Sequence, residues 1–253
     1  MNVIFHLAFL NADFSQRVLA RETNIHGTLV VLEAADKSPR VERLVIAGST
    51  AAYGAQRRNP KSIDESHPLK ASGLSWAAHK RAIEEELAKA LPRARRNLQV
   101  CILRLATIVG PSERPQGPVH RFCRLPFAVS ALAHRGGLQF LSEEDAVTAL
   151  CSTLETENLR GPFNVVPDDH LTTAEVCRIL RRRRVPVPFT LLWLALFLAR
   201  RIFRTQIPEG VAAYLTWPLV ASGKKFKEAT GFVCAQSSRR ALKVCARSLG
   251  SIL

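Results

Sequence analysis

An α/β fold built on a mostly parallel sheet is the class this sequence predicts. Short apolar runs rich in strand formers alternate with longer segments of helical spacing, the order of strand, crossover and strand. Hydrophobic residues make up 47% of the 253 residues, enough for a sizeable core. Charged residues make up 23%, close to an ordinary globular value, which argues against disorder of the whole chain.

The elements follow in order. Residues 3–9, VIFHLAF, read as a buried strand. Residues 24–35 place Ile25, Leu29, Leu32 and Ala35 near helical spacing. Residues 44–47 form a second strand that leads into the turn-rich GSTAAYG. Residues 75–91 have high helix propensity and a polar face, and residues 99–105 form a third strand. Past Pro111 the pattern loosens. A helix is expected over 143–155 and a strand over 163–166. Thr172 or Thr173 is suited to cap a helix running to about Leu180, with Glu175 in its first turn. An apolar segment covers 185–202, and a tail helix is expected over 238–249. Residues 1–111 are expected to form a dinucleotide-type half, and 112–253 mainly a substrate lobe with segments returning to the sheet.

The balance is strongly basic: 36 Lys and Arg against 21 Asp and Glu, a formal net charge of +15. That favours an anionic partner, whether a phosphorylated cofactor, an acidic membrane surface or nucleic acid, or else it is a solvated basic surface. Nucleic acid is disfavoured, because two tyrosines provide no stacking platform and no binding motif accompanies the charge. Six cysteines, at 101, 123, 151, 177, 234 and 245, show no CxxC or Cys/His spacing, so no zinc site is expected. Their scatter fits reduced thiols in a cytosolic core. The first residues, MNVIFHLAFLNADF, lack the basic start and small-residue cleavage site of a signal peptide.

Several motifs share one order and spacing. They are Val3-Ile4-Phe5-His6-Leu7-Ala8, Asn24-Ile25-His26-Gly27-Thr28, Ser49-Thr50-Ala51-Ala52-Tyr53-Gly54 and Asp64-Glu65-Ser66-His67-Pro68. Further on come Ile102-Leu103-Arg104, Ile108-Val109-Gly110-Pro111, the run from Gln139 to Asp145, Gly161-Pro162-Phe163-Asn164-Val165 and Thr230-Gly231-Phe232. From Met1 to about Ala246 the chain resembles the extended short-chain dehydrogenase/reductase superfamily. The branch it looks like is the NAD-dependent epimerase/dehydratase family, which shades into the 3β-hydroxysteroid dehydrogenase type. The resemblance implies a Rossmann-type doubly wound parallel sheet, NAD or NADP as cofactor, and a small C-terminal α+β substrate lobe. It places Ala8 beside the cofactor and gives Asn24 a role in steadying the sheet and active site. It puts Ser49 in the place of the catalytic Ser/Thr, and Lys80 and Arg104 near the nicotinamide.

Departures from the pattern matter as much. Leu105 stands for a proline, Val109 for a tyrosine and Ser142 for a histidine. The family opens with a Gly-x-x-Gly-x-x-Gly loop that offers backbone N–H groups to a pyrophosphate. No three of the 13 glycines here have that spacing, and the sequence opens at what is expected to be the fourth strand of a sheet lacking its N-terminal βαβ portion. The family's active-site helix carries Tyr-x-x-x-Lys, one turn apart so that both side chains share a face. Here Lys80 matches and Trp76 stands where the tyrosine belongs. An indole N–H is a donor only and cannot cycle as a general acid/base.

Each residue has a structural alternative. Ser49 suits a strand-to-loop turn. Lys80 suits a solvated helix face or pairing with Glu84 at i,i+4. Trp76 suits a core or pocket wall, and His6 a buried strand position. His79 lies about 100° round the helix from Lys80, which disfavours a proton-transfer role. From Phe189 to Ile202 the segment FTLLWLALFLARRI is apolar nearly all round and flanked by Arg181, Arg182, Arg183, Arg184, Arg200 and Arg201, with Arg204 beyond. It suits a packed lobe helix, an interfacial helix on anionic lipid, or a membrane span. Two functions follow: a dinucleotide-dependent family member with little or no activity on a small-molecule substrate, or a non-enzymatic protein of anionic membrane surfaces. Oligomer formation is compatible with either.

Overall fold

The computed structural model describes residues 2–10, 17–112, 127–131, 136–203, 211–214 and 216–250. Cys123 and Arg204 lie outside them. The chain runs through β1 (Asn2–His6), α1 (Arg17–Lys37), β2 (Val41–Ser49), α2 (Ser75–Ala90), β3 (Gln99–Leu105), β4 (Thr107–Val109), β5 (Phe127–Ala131), β6 (Phe140–Ser142), α3 (Glu143–Glu155) and β7 (Gly161–Val165). It continues through α4 (Thr173–Ile179), β8 (Arg183–Val187), α5 (Phe189–Phe203), α6 (Val211–Tyr214), α7 (Lys224–Thr230) and α8 (Ser238–Gly250).

The main sheet is parallel, in the order β1-β2-β3-β7. His6 lies opposite Ile46, Ile46 opposite Ile102, and Leu103 opposite Phe163. Parallel neighbours need crossovers, and these strands are apolar on both faces, so both faces are covered. Period-two alternation sorts the side chains. Leu44, Ile46, Val100 and Ile102 pack with Leu32, Ala35, Ile83 and Leu87 of α1 and α2. Val45, Cys101, Leu103 and Leu105 face the other way, with Ala146 and Ala149 of α3 and Phe226 of α7. This is the doubly wound arrangement, with β7 returning from the later part of the chain.

Arg43 extends this core in a way its charge does not suggest. It is 1% exposed, and it donates to Gln99 Oε1, to Thr153 O and, at 2.7 Å, to Thr156 O. A cation thus serves carbonyls at the C-terminus of α3, where the helix leaves them unsatisfied.

A second, two-stranded sheet pairs β4 with β6, and Val109, Phe140, Leu171, Val176 and Leu242 pack into a separate apolar cluster. Two helix starts are built from the sequence. Ser142 caps α3 by accepting from Asp145 N at 3.0 Å. Thr172, rather than Thr173, caps α4 and forms a full capping box with Glu175. The family-like Gln139 is also structural: its amide brackets Ala221, accepting from its N–H at 2.8 Å and donating to its carbonyl at 3.1 Å.

One expectation needs correcting, and one segment is resolved more closely. The first strand ends at His6 rather than Phe9, because the backbone of Leu10 is bonded by Asn24 and not by a neighbouring strand. Residues 185–202 divide between a strand and a helix. They begin within β8, which pairs in parallel with β5, and the helix starts only after Pro188, whose carbonyl accepts from Leu192 N at 3.0 Å. No helix among the described residues, α5 included, is long and apolar enough to cross a membrane.

Candidate active site

Ligands in doubly wound folds bind outside the carboxyl ends of the parallel strands. At those ends of β1 and β2 the structure gathers Ala8, Asn24, Ser49 and Lys80. β1 ends at His6, and the exposed turn Leu7-Ala8 follows. Asn24, 4% exposed on α1, grips the next segment: Leu10 N–H donates to its Oδ1 at 2.7 Å, and its Nδ2 donates to Leu10 O at 2.9 Å. A side-chain amide thereby replaces strand pairing where the sheet stops.

The same Nδ2 donates to His79 Nδ1 at 3.3 Å. The two Leu10 bonds fix which end of the amide is the donor, so His79 Nδ1 accepts and its proton resides on Nε2. Burial and the nearby Arg21 charge hold His79 below its ordinary pKa, consistent with a neutral ring. The Thr28 hydroxyl donates to Asn24 O at 2.7 Å and meets His6 Nε2 at 3.0 Å. That single hydroxyl proton is committed, so His6 Nε2 is the donor. Burial, and then Lys80, push the His6 pKa down.

Lys80 emerges from α2 and crosses this floor. Its Nζ donates to Ala47 O of β2 at 2.5 Å and lies 4.1 Å from the centroid of the Phe9 ring. Burial lowers its pKa to about 8, against an opposing pull from Glu84. It is therefore not a solvated surface lysine. Ser49 ends β2 two residues beyond Ala47, and its Oγ accepts from Ala51 N at 3.3 Å at the start of the 3-10 turn Thr50–Tyr53. Gly54 closes that turn at φ 77°, and an added Cβ would lie 2.9 Å from Ala71 Cα, so glycine is required there. Trp76, one helical turn before Lys80, is 38% exposed.

Arg104 makes its polar contacts within the protein. Its guanidinium is held by protein: Nη2 to Glu84 Oε2 at 2.7 Å, Nε to Glu84 Oε2 at 3.0 Å and Nη1 to Tyr53 OH at 2.6 Å. Nη1 also reaches Glu65 O at 3.2 Å. Glu84, read from spacing as a partner for Lys80, is the partner of Arg104, with both side chains about 5–6% exposed. Tyr53 completes the network by donating to Asn164 Oδ1 at 2.8 Å; burial pushes its phenol up to about 12. Tyr214 donates to Ala51 O at 2.7 Å, and burial raises its pKa well above the ordinary value. Neither phenol is available to move a proton near neutrality. Phe9 and the His6–Thr28 pair were missed from sequence, since their partners lie 71 and 22 positions away.

A model of the NAD dependent epimerase/dehydratase family matches residues 1–155. The chain belongs to that family. It is 27% identical over 213 residues to an uncharacterised protein of Mycobacterium tuberculosis and to one of Mycobacterium bovis, covering 84% of this chain. It spans 56% of the length of these curated relatives. Its fold resembles that of UDP-glucose 4-epimerase from Thermotoga maritima, at TM-score 0.73 and 18% identity over 99% of this chain and 78% of that one. It also resembles MoeE5, solved with UDP-glucuronic acid and NAD, at TM-score 0.75 and 20% identity over 100% of this chain and 80% of that one.

The family implies a nicotinamide dinucleotide, and the residues present fit one end of it. A half-buried ammonium and a turn serine at the strand ends suit the nicotinamide and its ribose. The pyrophosphate end is not matched, since no three glycines of this sequence have the required spacing.

Proposed function

We propose that this chain carries the nicotinamide-facing part of an epimerase/dehydratase site for a nucleotide-linked sugar or a related alcohol, and that its turnover is weak or absent. When bound, the nicotinamide supplies a hydride acceptor or donor. The protein's own part is to hold the substrate oxygen and exchange its proton. Ser49 would offer a hydroxyl to that oxygen, and Lys80 a positive charge beside it. Such a proton transfer needs a third group that can both give and take a proton.

Trp76 carries the reading. It occupies the position one helical turn before Lys80, and its indole only donates. Loss of a positioned general acid/base costs roughly 10²–10⁴ in rate. Restoring the phenol by Trp76→Tyr, in a longer polypeptide that adds a glycine-loop segment ahead of Met1, should raise turnover of UDP-galactose or dTDP-glucose by a comparable factor. Substantial turnover with Trp76 in place would refute the proposal. Fluorescence titration of the 253-residue chain with NAD and NADP tests the other half. Micromolar binding without a glycine loop would show that the phosphate contacts come from residues not recognised above.

A further inference from the structure

The outer face of α5 belongs to no part of this site. Its inner stripe docks the helix: Leu192 is 4% exposed, and the Phe189 ring lies 5.4 Å from that of Trp217. A surface helix of a water-soluble lobe is polar on its other face. Here the other face carries Leu191, Trp193, Leu194, Phe197 and Leu198, between 40% and 56% exposed. At 100° per residue these positions cover more than a third of the circumference as one apolar strip. Trp193 and Phe197 stack on its edge, with ring centroids 5.4 Å apart and planes 10° off parallel. Contiguous exposed apolar surface of this kind marks a binding face.

Charge indicates what covers it. Residues 176–208 contain eight arginines and no aspartate or glutamate. Arg181 and Arg183 are exposed just before the helix, and Arg201 is exposed near its end, so cations bracket the strip at both ends. An apolar, tryptophan-bearing strip with arginine at its ends matches an anionic bilayer, where the acyl boundary takes the side chains and the headgroups take the guanidinium groups. At 15 residues the helix is about 22 Å long, short of the ~30 Å hydrocarbon core, so it lies in the surface plane.

We infer that α5 is a lipid-binding helix that seats the lobe on anionic phospholipid membranes. This does not rest on the dinucleotide reading, and its test needs neither cofactor nor substrate.

The test is co-sedimentation of the full chain with phosphatidylcholine vesicles, and with vesicles in which roughly one third of the lipid is phosphatidylserine. Binding is expected to the anionic vesicles alone and to fall with added salt. Quenching of tryptophan fluorescence by acyl-chain-brominated lipid should accompany it. The pair Trp193→Asp and Phe197→Asp should lower the bound fraction at least about tenfold, since each ring is half exposed and its loss leaves the inner stripe intact. Arg181→Glu with Arg183→Glu should lower it too, without touching the apolar strip. Equal binding to neutral vesicles, no binding at all, or undiminished binding by the apolar pair would overturn the inference. So would a concentration-dependent dimer that the apolar pair dissociates, seen by sedimentation velocity without vesicle binding; the strip would then belong to a second copy.

Discussion

Replacing Arg104 by methionine should be among the most damaging single changes in this protein. The substitution nearly conserves volume, so the loss is electrostatic. Glu84 would keep its buried place at 6% side-chain exposure, having lost three N–H contacts between 2.7 and 3.2 Å. Tyr53 OH and Glu65 O would lose a donor as well. An uncompensated buried charge of this kind costs about 3–5 kcal/mol. Against a total stability of about 5–15 kcal/mol, that is a large share. The assay is urea unfolding followed by circular dichroism. With a slope near 3 kcal/mol per molar, the midpoint should drop by about 1–1.7 M. Adding Glu84→Leu should recover much of the loss by removing the stranded carboxylate. Recovery stays incomplete, because Arg104 also serves Tyr53 and Glu65. The exposed Lys37–Glu33 pair is the internal control, and Lys37→Ala should leave the midpoint unchanged. A drop below about 0.3 M for Arg104→Met, or a double variant less stable than either single one, would refute the assignment of this network as structural.

The Lys80 pKa near 8 lies below the ordinary 10.5, so the unfolded chain binds more protons between those values and stability should rise with pH across that window. Lys80→Met should flatten this contribution; urea midpoints that climb alike in parent and variant would rule it out. Asn24→Ala leaves the Leu10 backbone without its side-chain partners and should cost about 1–3 kcal/mol, with faster hydrogen exchange at the Leu10 amide as the local readout. Gly27 lies within α1, and an added Cβ would meet no atom within 4 Å, so Gly27→Ala should stabilise by about 0.8–1 kcal/mol. A loss in thermal unfolding would mean that α1 is covered there in solution.

Much of the fold was legible because its strands carry their own signal. β3 was located to the residue, since its centre, Val100 to Leu103, is an unbroken apolar run buried on both faces. α3 was equally clear, with a serine cap and three acidic residues in its first turn. β8 was not, because arginines and a proline obscure a strand whose partner is 56 positions earlier. In the site, short motifs located Asn24, Ser49 and Lys80, and the structure brings these to one end of the sheet. Partnership was less legible than position. Spacing paired Glu84 with Lys80 on one helix, whereas packing paired it with Arg104 on the strand beneath. Local periodicity reports which residues share a face, and it says little about which buried charges meet.

Among the described residues β1 pairs with β2 alone, yet the segment beyond it is tied down by an amide on α1. The segment after β1 is thus anchored from above rather than from the side. That tie holds Phe9 over the Lys80 ammonium whether or not the outer margin of β1 is paired. The placing of the Lys80 ammonium therefore depends on α1 and α2 rather than on a further strand beside β1.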